Sequence, residues 1–137
     1  MRGIVLASHG LLAEGLYDTL TMFSGEIKQI KTICLKPEQD ITNFLDQFKE
    51  AIQSVDTGDG VVIFCDLLFG TPCTCSAKIL NEIGNTSTIQ IITGMNLSMV
   101  LEYVGAREHG MDSEQIVLTG QQGIVDFKKM IEERNNS

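Results

Sequence analysis

The chain has 137 residues, with 18 acidic and 10 basic side chains and a formal net charge of −8 when both histidines are neutral. A chain of this length buries roughly two thirds of its unfolded surface, enough for an ordinary hydrophobic core without metal or disulfide staples, and its 43% apolar content, grouped in short runs, is unlike that of a disordered chain. Ten scattered cations do not build a nucleic-acid or anionic-membrane surface, whereas an acidic balance suits a basic protein partner.

Residues 3–8 are a short β-branched and apolar run, after which Leu12, Leu16, Leu20 and Phe23 recur at intervals of four and three. That pattern predicts a strand followed by an amphipathic helix ending at Gly25. Residues 27–35 alternate in part and are rich in isoleucine; after Pro37, Ile41, Phe44, Leu45, Phe48 and Ile52 keep a helical period until Gly58. Residues 60–66 are nearly continuous apolar sequence, as in a central strand covered on both faces of a parallel sheet. Thr71-Pro72 then supplies a hydroxyl N-cap and a proline at the first helical position, and Ala77, Ile79, Leu80 and Ile83 continue the helix to Gly84. A fourth strand is predicted over residues 88–93, and Asn96 caps a helix carrying Leu97, Val100, Leu101 and Val104. Asp112 and Gln115 form a capping box for a helix through Val117 and Leu118, before Gly120 and Gly123 break the pattern. Residues 124–127 read either as a fifth strand or as part of a final helix running through Met130 and Ile131.

Repeated strand-helix units predict an α/β fold, an open doubly wound sheet of four parallel strands in a single domain over residues 1–137. Four parallel strands leave an exposed edge that a tail strand or a partner subunit would cover. The longest apolar runs, residues 61–65 and 67–69, are split by Asp66 and fall short of the ~20 residues of a membrane span. Ser8-His9 and Glu14 interrupt the N-terminal apolar stretch, which makes a poor signal peptide. A cytoplasmic protein without direct membrane insertion is expected, and the sequons at Asn85, Asn96 and Asn135 then carry little meaning. Cys34 and Cys65 lie in strand-like runs as small hydrophobes, and Cys73 and Cys75 are too close for a C-x-x-C arrangement. No disulfide, metal or other cofactor is expected.

In open parallel sheets, ligands bind beyond the carboxyl ends of the strands, beside the point where strand order reverses. His9, Asp66 and Asn96 fall at such ends, each just before a predicted helix N-terminus, and the free N–H groups beside the first two can receive an anion. Gly10 lets a group approach the backbone closely. An Asp66 carboxylate bonded to one ring nitrogen of His9 would fix the tautomer and leave the other nitrogen free to attack. The plainer readings are a loop histidine and a turn carboxylate. The chain has no G-x-x-x-x-G-K-[ST] loop, no three-glycine dinucleotide fingerprint and no G-x-S-x-G around Ser8, so nucleotide binding and a hydrolase elbow are unsupported. Ser8 reads as structural or as an anion donor. His109 reads as a solvent-facing helix-end residue, and Leu11, Leu12, Leu68 and Phe69 as either a docking rim or packing on the sheet.

Over essentially its full length the chain resembles the IIA component of the mannose-type sugar phosphotransferase systems. SHGLLAEG resembles that family's active-histidine segment, DLLFGTPCTCSA its aspartate-bearing G-[ST]-P loop, and TGMNLSMVLE its third active-site loop. The resemblance implies that His9 is the phosphorylated histidine, Asp66 its orienting carboxylate and Thr71 a hydroxyl holding the phosphoryl group, with Ser8, Gly10, Gly70 and Asn96 in support. Two positions depart from the family: Phe69-Gly70 stands where D-L-x-G-G-[ST]-P is common, and Ser98 where N-[LI]-P-M is common. The first narrows the backbone angles available before Gly70, and the second softens the start of the fourth helix.

The resemblance also implies an antiparallel fifth edge strand exchanged between two subunits, drawn from Gly123 and residues 124–128 in a tail of residues 120–137, and hence a homodimer. The implied function is a phosphoryl relay without nucleotide or metal. His9 would accept the group from a histidine-phosphorylated carrier protein and yield it to a IIB component during sugar uptake. The alternatives are the phosphocarrier subunit of a dihydroxyacetone kinase system and a non-catalytic regulatory dimerisation domain.

Overall fold

The computed structural model describes residues 1–84 and 88–136; the sequon at Asn85, and the Ser137 that ends the one at Asn135, lie outside them. The described chain runs β1 (Gly3–His9), α1 (Leu12–Ser24), β2 (Ile30–Leu35), α2 (Ile41–Val55), β3 (Val61–Cys65), α3 (Thr71–Ile83), β4 (Ile89–Ile92), α4 (Leu97–Ala106), α5 (Ser113–Gln122) and α6 (Phe127–Asn135). The four strands are parallel in the order β2-β1-β3-β4. This is the predicted open α/β sheet. Strand order reverses between β1 and β3, whose register sets Ala7 opposite Cys65.

Side chains alternate across β1 and β3, so each strand feeds two cores. Ile4, Leu6, Val62 and Phe64 face Ala13 and Leu20 of α1, Val100 and Tyr103 of α4, and Ile116 of α5. Val5, Ala7, Val61, Ile63 and Cys65 face Phe44, Phe48, Ile52 and Val55 of α2 and Cys75 and Ile79 of α3. All of these residues are buried, which explains the unbroken apolar runs of β1 and β3.

Local signals set most boundaries. Asp40 caps α2 by accepting from Thr42 N–H, Asn96 caps α4 through Met99 N–H, and Asp112 with Gln115 makes both bonds of the capping box at α5. The start of α3 differs from the expectation. Gly70 occupies the N-cap position and makes no side-chain cap bond, Thr71 is the first helical residue, and Pro72 follows within the first turn. Proline needs no N–H partner at either of the first helical positions, so its place was compatible with both readings.

At the opposite end of the sheet, the buried guanidinium of Arg107 donates to the carbonyls of Arg2, Lys28 and Gln29. Burial lowers its pKa from the usual arginine value, and three carbonyl acceptors offset the loss of water.

Of residues 124–127 only Phe127 is helical, and residues 124–126 are neither strand nor helix. Asp126 accepts from Lys129 N–H at 3.0 Å and starts α6, in which no residue is buried. The described residues hold no fifth strand, and Phe127 and Lys128, part of the segment that the resemblance assigned to an exchanged strand, are helical. Beside β4, Ile91, Ile92, Val117, Gly120 and Ile124 line a cleft of about 360 Å³. Among the described residues, no helix is long and apolar enough to cross a membrane.

Candidate active site

β1 ends on His9 and β3 ends one residue before Asp66, so the reversal of strand order brings the two side chains together. Asp66 Oδ2 accepts from the His9 backbone N–H at 3.0 Å and lies 2.8 Å from Nδ1 of the ring. A nitrogen facing a carboxylate at that distance is the protonated one in the neutral imidazole, which leaves the lone pair on Nε2. The imidazole is 44% exposed and the Asp66 side chain 12%. Asp66 Oδ1 is buried without a hydrogen-bond partner among the described residues, so one oxygen carries both bonds to His9.

Gly70 backs the ring. A β-carbon placed on it would lie 2.6 Å from Cε1 and 3.4 Å from Nε2 of His9. Gly70 N–H donates to the Leu67 carbonyl at 3.0 Å, closing a four-residue turn in which Phe69 has φ +64°. Thr71 follows, half-buried, at the head of α3, whose first-turn N–H groups have no helical acceptors. An anion held at Nε2 therefore meets the positive end of a helix.

Ser8 points the other way. It is fully buried, and its Oγ accepts from Ala13 N–H at 2.8 Å and lies 3.3 Å from the Gly10 carbonyl, to which it donates. It caps α1 from five residues away, in place of Leu11, which has no capping side chain. Gly10 takes φ +55°, a left-handed angle that glycine adopts freely, and its N–H bonds to the Leu35 carbonyl. Asn96 is also engaged: Oδ1 accepts from Met99 N–H at 3.0 Å, and Nδ2 donates to the Gly120 carbonyl at 3.3 Å, tying α4 to α5. The predicted residues thus divide into His9, Asp66 and Gly70 around one ring, and Ser8 and Asn96 within the supporting backbone. A cleft of about 640 Å³ lies at the other end of the sheet against Arg2, Asp59, Gln90 and Arg107. Volume does not mark this site.

The family model described as "PTS system fructose IIA component" matches residues 3–119, a span that includes both strand ends and the turn before α3. The chain belongs to this family of phosphotransferase-system IIA components. It is 26% identical over 129 residues to the mannose-specific EIIAB component of Escherichia coli K12, covering 91% of this chain and 39% of that one. The chain therefore spans about two fifths of the length of that curated relative. It is 22% identical to the fructose-specific EIIA component of Bacillus subtilis, over 80% of this chain and 73% of the other. Among solved structures, the IIA protein associated with the fucose utilization operon of Streptococcus pneumoniae superposes with a TM-score of 0.86 at 29% identity, covering 95% of this chain and 96% of that one. The mannose/sorbose-specific IIA subunit of Enterococcus faecalis superposes at 0.79 with 19% identity, over 90% and 92% of the two chains, a likeness of fold. The Phe69 departure from the IIA pattern now has a geometry: the backbone keeps a glycine-like angle and carries a phenylalanine on it.

Proposed function

We propose that the chain is a phosphoryl relay in which His9 is the covalent carrier. The Nε2 lone pair attacks the phosphorus of a phosphohistidine on a small donor protein. The Nε2–P bond forms as the donor's N–P bond breaks, and that electron pair returns to the donor's imidazole nitrogen. Asp66 holds the Nδ1 proton and faces the positive charge that develops on the ring. The Thr71 hydroxyl and the first-turn amides of α3 supply donors to the phosphoryl oxygens. Ser8, Gly10 and Asn96 set the backbone that carries the ring and the helices beside it. The second half-reaction hands the group to a IIB unit, a reading supported by the E. coli relative, whose name joins the A and B parts and of which this chain matches 39%. The protein would work in the cytoplasm as one domain and as a homodimer, its tail crossing to a second copy.

The observation that carries this reading is the single Asp66 oxygen bonded to both the backbone and the ring of His9. The test is incubation with a histidine-phosphorylated carrier protein. Wild type is expected to gain a base-stable, acid-labile phosphate that His9→Ala lacks, and to lose it to a cognate IIB protein. Failure to label would end the relay reading, and label that never reaches any IIB partner would end its assignment to sugar transport.

A further inference from the structure

Phe69 stands out for two independent reasons. Its φ of +64° is the angle that the third residue of a type II turn gives to glycine, and a phenylalanine adopts it against the clash of its own Cβ. The residue is also 79% exposed, so no burial in the core compensates the strain. Strain retained at an exposed position points to a use made of the side chain outside the fold.

The surroundings say what that use is. Phe69 immediately precedes Gly70, on which a β-carbon would crowd the Cε1 edge of His9. Leu11 and Leu12, which follow His9 at the start of α1, and Leu67 and Leu68, which follow Asp66, are 64%, 53%, 60% and 56% exposed. None of these five residues carries a charge. Whatever covers them presents apolar surface, and it brings a phosphoryl group to Nε2 in the same encounter. Aromatic side chains at the centre of such a contact contribute a disproportionate share of binding.

We propose that Phe69 is a specificity-determining docking residue for the phosphoryl donor, a phosphohistidine protein with an apolar surface around its own histidine. This rests on the relay reading above. The donor is the occupant because the ring is set to receive: Nδ1 is tied to Asp66, which leaves the lone pair on Nε2, beside the Gly70 that Phe69 immediately precedes. The left-handed backbone at residue 69 lays Gly70 against the imidazole and at the same time projects the phenyl ring outward.

Two phosphoryl donors separate docking from chemistry. Phosphoramidate labels a reactive histidine without a docked protein, whereas the phosphorylated carrier protein labels it through one. Phe69→Asn removes the ring and keeps a residue that tolerates the left-handed angle. The ratio of carrier-dependent to phosphoramidate-dependent labelling is expected to fall at least ten-fold in Phe69→Asn, through a higher KM for the carrier, and to return within about three-fold of wild type in Phe69→Tyr. An unchanged ratio would overturn the proposal, as would equal losses with both donors, which would place the ring's effect on His9 itself. A defect confined to transfer onward to the IIB protein would overturn the assignment to the donor. Wild type labelled by neither donor is a distinct outcome, which refutes the relay reading beneath.

Discussion

Gly70 lies against the His9 imidazole so closely that a β-carbon on it would stand 2.6 Å from Cε1. The backbone angles of Gly70, φ −70° and ψ 168°, are ones that alanine adopts without strain, so the main obstacle to a side chain there is the ring, with the Leu67 carbonyl oxygen next at 3.2 Å. Gly70→Ala is expected to fold with a small loss of stability at the Leu67 carbonyl and to push the ring off its Asp66 partner. Labelling of His9 by phosphorylated carrier should fall roughly 100-fold, the loss that a misplacement of about 1 Å causes. A rapid-quench measurement on the variant checks this, and wild-type rates would show that Gly70 does not position the ring.

Asp66 acts on His9 through one oxygen, with two bonds and a charge. In Asp66→Asn the amide oxygen still accepts from the backbone and the ring, but the negative charge opposite the developing imidazolium is gone. Transfer should slow by roughly ten- to a hundred-fold, the range for a hydrogen bond to a charged group, while circular dichroism stays that of wild type. Rates within two-fold of wild type would remove Asp66 from the mechanism.

The buried Ser8 hydroxyl makes a stability prediction rather than a catalytic one. Ser8→Ala strips Ala13 N–H of its acceptor at the start of α1. The expected cost is about 1–2 kcal/mol, read as a melting temperature lower by roughly 3–8 °C for a chain of this size. A variant that melts with wild type yet transfers slowly would instead place Ser8 on the phosphoryl group.

The cysteines differ in reach. Burial pushes the Cys65 thiol up to about 12, only partly offset by the Ser76 hydroxyl beside it, and burial also raises Cys75. At pH 8 a thiol of that kind is thiolate in only about one molecule in 10⁴. Iodoacetamide on the native protein should modify Cys73, the one cysteine that is partly exposed, and should modify all four in denaturant. Peptide mass spectrometry distinguishes the sites, and early modification of Cys65 would contradict its burial.

The tail predicts assembly. Ile124, Val125 and Phe127 are 74%, 56% and 69% exposed in the single chain, and α6 buries nothing. Removing residues 124–137 takes away no core, so the shortened chain should fold. Light scattering is expected to give a dimer for the full chain and a monomer after deletion. A dimer that survives deletion would separate assembly from the tail.

Much of this protein was legible before any tertiary contact was known. The 3.6-residue period and the short apolar runs marked the four strand-helix units, and capping residues such as Asn96 and Asp112 marked helix starts, because these signals act over a few neighbouring residues. His9 and Asp66 were legible as strand-end groups for the same reason. Their meeting was not. Fifty-seven residues separate them, and they touch only because β1 and β3 pair across the reversal of strand order, a choice made by packing α1 and α4 on one face and α2 and α3 on the other. Ser8 and His9 are adjacent in sequence, yet the pleat turns one hydroxyl into the fold and the next imidazole out of it, and only the finished sheet says which face is which. Thr71 lost the capping place to Gly70, and Phe69 took a left-handed angle, because the turn had to lay the backbone against His9. The residue types that can do phosphoryl chemistry were set by the sequence of 137 residues; which of them share a ring, and which serve the backbone beneath it, was decided by long-range pairing that no local signal encodes.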